Sequence, residues 1–357
     1  MAASTTFLAT AIGSLPHASA EKALDIILDK IPGCPIWPQL PRLGLREQME
    51  IQYSEGLPCV KIDEEKGRMY FDTADEDANA AAMADFYEKF MAAQESDDWS
   101  AFAVSPAFSR GIYALRDRLK AAPAKRPWLK VQTTGPLTIG LSIVDENKRA
   151  IYYNEVFRDI IIKGLAAKCR WQLNLFKEFA ENLICFVDEP ILSAFGSSTY
   201  VSVQRDDVIA AVSEVVEAIH GAGGLCGVHC CGNTEWPILI ESGVDIINFD
   251  AYGYGQSIAL YASEVDAFLK FGSYIAWGIV PTSERIMDET AESLVARYDK
   301  VVDGLGAKGV DRELVYKQSM LTPSCGTGSL SEAQAERVFD MLAQTSEALK
   351  KRMKAEG

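Results

Sequence analysis

The feature that most constrains the fold is an alternation of short apolar runs with longer amphipathic stretches along the 357 residues. Eight runs have the length of a strand, and segments with helical periodicity separate most of them. The runs are Phe7–Ser14, Pro35–Leu40, Leu129–Thr134, Leu183–Glu189, Gly224–Cys231, Asp245–Ala251, Tyr274–Pro281 and Val315–Pro323. Strand and helix repeated eight times predict an α/β fold, a (β/α)8 barrel.

The connections between the runs support this fold. Clear helical segments are predicted at Ala20–Asp29, Tyr153–Glu181, Asp206–Gly221 and Ser331–Met353. Residues 44–127 are too long for one crossover, and we interpret them as an insertion with connecting helices at the barrel mouth. This insertion holds a predicted hairpin strand at Gly67–Asp72 and a predicted helix at Asp77–Gln94. We expect residues 1–357 to form a single barrel domain. A doubly wound sheet is the alternative, but no Gly-x-Gly-x-x-Gly follows the first run.

Composition excludes several classes of function. The formal net charge of -15 argues against a nucleic-acid partner, which needs a basic surface, and against docking on anionic lipid. The apolar runs are strand-sized, so no membrane span is predicted. The N-terminus lacks the pattern of a secretory signal, and the 8 cysteines are therefore expected to be reduced thiols in a cytoplasmic protein.

Polar and metal-binding residues stand at the ends of most runs. In a barrel of this kind, the loops after the strands build the active site, so catalytic groups gather at the C-terminal strand ends. The residues at these ends are Ile12-Gly13-Ser14, Gln39, Thr134, Asp188-Glu189, His229-Cys230-Cys231, Asp250 and Cys325. A purely structural barrel would need none of them there.

One histidine and two cysteines among these ends predict a zinc site. His229, Cys231 and Cys325 supply one nitrogen and two thiolates, and tetrahedral zinc takes a fourth ligand or keeps an open position. Asp250, at the end of the next strand, is the first candidate for the fourth ligand, and Glu235 is the second. A single buried His or Cys is more often a core residue, but three soft ligands at strand ends favour a metal. Strand alternation turns Cys230 away from the site.

Two further strand ends predict substrate contacts. Alternation lets only one of Asp188 and Glu189 face the barrel axis, where a carboxylate binds a substrate ammonium or acts as an acid or base. The other interpretation of these acids is a capping or loop-fixing role. Backbone N–H groups and the hydroxyl of Ile12, Gly13 and Ser14 suit a carboxylate, although a simple turn explains them equally well.

These motifs together resemble a known superfamily, which contains cobalamin-independent methionine synthase, uroporphyrinogen decarboxylase and the methylcobamide:coenzyme M methyltransferases. Four motifs carry the resemblance, and they are Ala11–Pro16, Thr134-Gly135-Pro136, Asp188-Glu189-Pro190 and His229-x-Cys231 with the distant Cys325. The resemblance implies that the first segment binds the carboxylate of homocysteine, that Asp188 holds its amine, and that His229, Cys231 and Cys325 are three of four zinc ligands.

The chain departs from this pattern in two places. The family has a Glu as its fourth zinc ligand, and the matching position here is Asp250. Full-length cobalamin-independent methionine synthases carry two barrels, and this chain has room for one. The resemblance therefore implies that the methyl donor is a corrinoid protein, which would carry methylcobalamin, or another methyl carrier.

The resulting hypothesis is a zinc-dependent methyltransferase that acts on a small thiol, with homocysteine first and coenzyme M second. One rival is a metal-free decarboxylase of the uroporphyrinogen type, which needs a basic cleft; only Arg42 and Arg46 lie near the early strand ends. The other rival is a binding module that captures a thiol or a corrinoid partner without catalysis.

Overall fold

A computed structural model gives the fold of residues 5–122, 124–197, 200 and 202–356. The described strands are β1 (Leu8–Ala9), β2 (Val60–Asp63), β3 (Arg68–Phe71), β4 (Arg126–Thr134), β5 (Ala180–Asp188), β6 (Leu225–Cys230), β7 (Ile246–Phe249), β8 (Tyr274–Val280) and β9 (Ser319–Pro323). The α-helices are α1 (Ala20–Lys30), α2 (Met49–Gln52), α3 (Glu76–Ser96), α4 (Arg110–Lys120), α5 (Pro136–Ser142), α6 (Glu155–Phe176), α7 (Arg205–Gly221), α8 (Trp236–Glu241), α9 (Ala251–Tyr254), α10 (Ala262–Lys270), α11 (Ala291–Gly306), α12 (Arg312–Lys317) and α13 (Glu332–Glu356).

Seven of these strands form one curled, parallel sheet, in the order β1-β9-β8-β7-β6-β5-β4. Helices connect successive strands, as parallel pairing requires. The protein is therefore an α/β protein with a curled parallel sheet that is consistent with a TIM-like barrel, although among the described residues the sheet has seven strands and is not closed. Seven of the eight predicted runs contain a hydrogen-bonded strand, and the four clear helical predictions correspond to α1, α6, α7 and α13.

The predicted strand at Pro35–Leu40 is the exception. Among the described residues this segment makes only isolated parallel bridges, from Ile36 to Lys130 in β4 and from Gln39 to Ser14 beyond β1. Proline lacks a backbone N–H, and Pro35 and Pro38 interrupt the segment, so a continuous ladder cannot form. Residues 33–39 lie between the two edges of the sheet without forming a regular eighth strand.

Two clusters of apolar side chains pack the fold. The larger one lies between the sheet and the surrounding helices. The smaller one takes side chains from the inner face of the curled sheet, and its buried members are Leu8, Cys34, Trp128, Ile184, Phe186, Ile246, Ala276 and Met320. Because side chains alternate along a strand, the polar residues further along the same face lie beside this inner cluster.

The segment interpreted as an insertion contains the antiparallel hairpin of β2 and β3 and the long helix α3. The predicted hairpin strand at Gly67–Asp72 corresponds to β3, and the predicted helix at Asp77–Gln94 corresponds to α3. The following helix, α4, packs against α1. The short α2 lies over the end of β4, where the Thr134 hydroxyl donates to the Met49 carbonyl at 2.7 Å. No helix within the described ranges combines the length and the apolar character needed to cross a membrane.

Candidate metal centre

Strand register brings polar residues of four neighbouring strands into one row. Thr134 of β4 pairs with Asp188 of β5, Asp188 with His229 of β6, and His229 with Asn248 of β7. The strands are parallel and end at the same edge of the sheet. The inner face therefore carries a polar layer directly above its apolar cluster.

His229, Cys231 and Cys325 converge at this edge, as the sequence predicts. One ligand atom from each residue can be chosen such that all three lie within 4.8 Å of one another. The Nε2 atom of His229 is 3.2 Å from the Cys231 sulfur, and the two sulfurs are 3.3 Å apart. His229 is buried, whereas the two cysteines are half-buried. A nitrogen and two thiols at these separations are a donor set that suits Zn²⁺.

Asn248 fixes the orientation of the His229 ring. Its amide nitrogen donates to the Ala276 carbonyl at 2.7 Å and to the Thr322 hydroxyl at 2.8 Å. The amide oxygen therefore faces His229 Nδ1 at 2.6 Å, and Nδ1 must carry the proton of that hydrogen bond. In the neutral imidazole, which is the form that binds a metal, the lone pair of Nε2 is then directed toward the thiols. A metal-binding histidine is commonly held by such a partner.

Asn248 was not among the site residues that the sequence predicts. A signal was present, because Asn248 is the polar residue of an apolar run and stands two positions before Asp250, on the same side of the strand.

The thiols and the imidazole perturb one another. Hydrogen bonds from Cys231 and His229 lower the pKa of the Cys325 thiol, although burial opposes the shift. The pKa of Cys231 is raised, first because it donates to Cys325 and then because it is buried. Burial alone would lower the pKa of His229, but the hydrogen bond and charge of Cys325 raise it above its usual value. The contacts of the cluster therefore stabilise the thiolate form of Cys325, which is the form that ligates a metal.

The two candidates for a fourth ligand lie outside this group of three. One oxygen of Asp250 accepts a hydrogen bond from the Gly253 N–H at 2.7 Å and so caps α9. Burial raises the pKa of this carboxyl. Glu235 is exposed and immediately precedes α8. Cys230 is fully buried among apolar side chains of the outer cluster, on the side that strand alternation predicts.

Asp188 and Glu189 have different environments, although they are adjacent. Asp188 is buried, and its Oδ1 atom finds no hydrogen-bond partner among the described residues. Burial raises the pKa of Asp188 to about 6, against the opposing charges of His229 and Lys130. A buried carboxylate oxygen without a partner is suited to a cationic group.

The Glu189 carboxylate is occupied by α5. It accepts hydrogen bonds from the Leu137 N–H and the Thr138 N–H, both at 2.8 Å, and from the Thr138 hydroxyl at 2.6 Å. A side chain at Gly135 would place its Cβ about 2.1 Å from this carboxylate, so the close approach requires glycine. Glu189 thus has the loop-fixing contacts that were the alternative interpretation of this acid.

The segment Ile12, Gly13 and Ser14 lies against the loop that carries Cys325. The Ser14 carbonyl accepts from the Thr327 N–H at 2.8 Å. A Cβ at Gly326 would lie 2.0 Å from the Ser14 hydroxyl oxygen, so only glycine permits this contact. The segment predicted to bind a carboxylate is therefore next to one of the thiols of the cluster.

No protein-family model and no curated protein sequence matches the chain. Among solved structures, a B12-independent methionine synthase from Shewanella sp. W3-18-1, in complex with selenomethionine, is similar with a TM-score of 0.47 and 17% identity, over 68% of this chain and 67% of that chain. A Xaa-Pro dipeptidase with bound methionine has a TM-score of 0.35 and 17% identity, over 67% and 58% of the two chains. A GH5-4 endoglucanase from Clostridium longisporum has a TM-score of 0.39 and 10% identity, over 70% and 78%. With TM-scores below 0.5, these similarities assign neither a family nor an activity.

Proposed function

We propose that this protein is a zinc-dependent methyltransferase that transfers a methyl group from a corrinoid donor to a small thiol such as homocysteine. One observation carries the proposal. His229 Nε2 and the sulfurs of Cys231 and Cys325 converge beside the buried, partly unpartnered carboxylate of Asp188. The sequence motifs that resemble the methionine synthase superfamily surround this same site.

The residues fit zinc because two sulfurs and one imidazole nitrogen lie close enough together to bind one tetrahedral ion. Asn248 orients the imidazole for this role. When bound, zinc lowers the pKa of an acceptor thiol so that a thiolate exists at neutral pH. Asp250 caps α9 in this structure, and we retain it as the proposed fourth ligand, ahead of Glu235.

The protein residues position the acceptor. Asp188 holds the acceptor ammonium through its free oxygen, and Ile12, Gly13 and Ser14 hold the carboxylate, while Thr134 lines the same row. We omit Glu189 from the substrate contacts because its oxygens cap α5. The acceptor sulfur then attacks the methyl carbon in line, and the donor leaves with the electron pair. The thioether product is neutral, so no general acid is required.

Metal analysis provides the first test. Protein prepared without chelator should contain close to one zinc per chain, about the occupancy of a folded three-residue site. Cys231→Ser and Cys325→Ser should each lose most of it. Cys230→Ser is the matched control, since this thiol is adjacent in sequence but faces the helices. Unchanged zinc in both site variants contradicts the proposal.

Activity provides the second test. Zinc-loaded protein should transfer the methyl group of methylcobalamin to homocysteine, and the rate should disappear when zinc is removed. Zinc-edge X-ray absorption should show one additional sulfur neighbour when homocysteine is added. Zinc binding without either result would leave a binding module, and turnover of a porphyrinogen would favour the decarboxylase instead.

A further inference from the structure

Lys130 is a fully buried lysine on the inner face of β4. Its ammonium donates to the Ile12 carbonyl at 2.9 Å and to Gln132 Oε1 at 3.2 Å, and it lies 4.7 Å from the centroid of the Phe186 ring. Burial lowers its pKa to about 8, which the nearby charge of Asp188 partly opposes. Burying an ammonium costs free energy of desolvation unless neighbouring groups offset it. Packing alone therefore does not explain why a lysine occupies position 130.

The Ile12 carbonyl belongs to the same peptide group as the Gly13 N–H. A cation that bonds the carbonyl oxygen polarises the peptide and strengthens its N–H as a donor. Gln132 packs closely against the same peptide, because a Cβ on Gly13 would lie only 2.8 Å from Gln132 Nε2. Lys130 and Gln132 thus determine both the position and the polarity of the Ile12–Gly13 peptide.

These contacts also replace backbone hydrogen bonds that the neighbouring segment lacks. Gln132 Nε2 donates to the Trp37 carbonyl at 3.2 Å, within the segment that Pro35 and Pro38 interrupt. The pair therefore links β4 to that segment and to the chain beyond β1. None of the hydrogen bonds described for Lys130 reaches the thiol cluster, so its effect should fall on the acceptor rather than on the metal.

We propose that Lys130 is a positioning residue that holds the Ile12–Gly13 peptide for the acceptor's carboxylate, and that the site consequently selects amino-acid thiols over thiols without a carboxylate. This inference rests on the proposed function for the binding of a thiol at this site, but not on the transfer step.

Calorimetric titration of the zinc-loaded protein tests the selectivity. Two probes suit the comparison, homocysteine and 3-aminopropane-1-thiol, which is homocysteine without its carboxylate. The wild type should bind homocysteine more tightly. Lys130→Met should weaken homocysteine binding by about tenfold, the loss expected for one charge-assisted hydrogen bond, and should leave zinc content unchanged. Both probes meet Asp188, whose carboxylate loses the nearby charge of Lys130, so 3-aminopropane-1-thiol binding should weaken much less than homocysteine binding.

Lys168→Met is the matched control. Lys168 is equally buried, burial also lowers its pKa to about 8, and it donates to the Glu55 carbonyl at 2.6 Å, between α6 and the insertion. This variant should bind both probes as the wild type does. If Lys130→Met does not fold, Lys130→Gln and Lys130→Arg replace it, and a selective loss in Lys130→Gln that exceeds the loss in Lys130→Arg supports the inference.

Equal weakening of both probes, undiminished homocysteine binding, or no homocysteine binding by the wild type overturns the inference. Methyl transfer from methylcobalamin is measured separately on the same preparations. Selective binding without any transfer would refute the proposed function and leave the role of Lys130 intact.

Discussion

The two sides of the curled sheet differ in what holds them together. From β4 to β9, parallel ladders set the register that aligns Asp188, His229 and Asn248. Between β1 and β4, prolines interrupt the ladder, and the side chains of Lys130 and Gln132 supply hydrogen bonds in its place. The candidate metal centre lies on the regular side and the proposed carboxylate contacts on the irregular side. Zinc binding and recognition of the acceptor's carboxylate should therefore respond to different substitutions.

The largest effect should come from His229→Ala, on the regular side. It removes the only nitrogen of the cluster and leaves the Asn248 oxygen without its partner, so zinc content should fall to about a tenth of a site or less. Methyl transfer should fall with it. Metal analysis by mass spectrometry measures the loss.

His220→Ala is the control for this change, because His220 pairs with Asp245 at the end of α7. It should keep its zinc. Full zinc occupancy in His229→Ala would show that the cluster is not the metal site.

The next effect concerns the irregular side and depends on pH. The folded-state pKa of Lys130 is lowered to about 8, whereas an unfolded lysine titrates near 10.5, so between these values the unfolded chain binds more protons. The unfolding free energy of the wild type should then rise relative to Lys130→Met by about 3 kcal/mol from pH 8 to pH 10.5. Urea titrations at several pH values measure this difference.

Lys163→Met serves for comparison. Lys163 is partly buried, but hydrogen bonds to Asp159 and Glu214 outweigh that burial and raise its pKa. The difference in unfolding free energy between Lys163→Met and the wild type should stay constant between pH 8 and 10. If the difference in unfolding free energy between Lys130→Met and the wild type also stays constant, the ammonium of Lys130 is not desolvated in the folded protein.

Asn248→Leu should have an intermediate effect on the regular side. The ring of His229 loses its orienting acceptor, and zinc affinity should fall by about 10- to 100-fold, as is usual when such a partner is removed. Competition with a fluorescent chelator measures the dissociation constant. Asn182→Leu, at the other end of β5, should not change it, and an unaltered affinity in Asn248→Leu would contradict the orienting role.

The smallest effect is expected for Tyr53→Phe, on the irregular side. The Tyr53 hydroxyl donates to the Gln132 carbonyl at 2.6 Å, and Gln172 Nε2 donates to the same oxygen at 3.0 Å. The Gln132 carbonyl keeps its hydrogen bond from Gln172 in this variant, so the free energy of unfolding should fall by only about 1 kcal/mol. Zinc affinity should not change. A weaker zinc site in this variant would show that the two sides are coupled.

Much of the site could be predicted because it depends on strand ends. A parallel sheet places the C-terminal ends of its strands together, so residues as distant as Cys231 and Cys325 were expected to be near each other. The metal-ion identity, the acceptor and the fourth ligand stay predictions. The loop-fixing contacts of Glu189 were the alternative interpretation of that acid, whereas the capping of α9 by Asp250 was not anticipated. An acid at a strand end suits either a site contact or a helix N-terminus, and the sequence does not distinguish the two.

The sequence by itself determined the periodicity of the elements, the residues at the strand ends and the side of the strand that each one faces. The sequence also held the signal that Pro35–Leu40 forms no regular strand, since Pro35 and Pro38 lack backbone N–H groups, but the apolar character of the run favoured a strand prediction. Only the tertiary structure decided which partners the buried polar groups meet, since Lys130 and Ile12 are 118 residues apart and Asn248 and Thr322 are 74 apart. Local patterns specify faces and ends, whereas hydrogen-bond partners depend on which distant segments the folded sheet brings into contact.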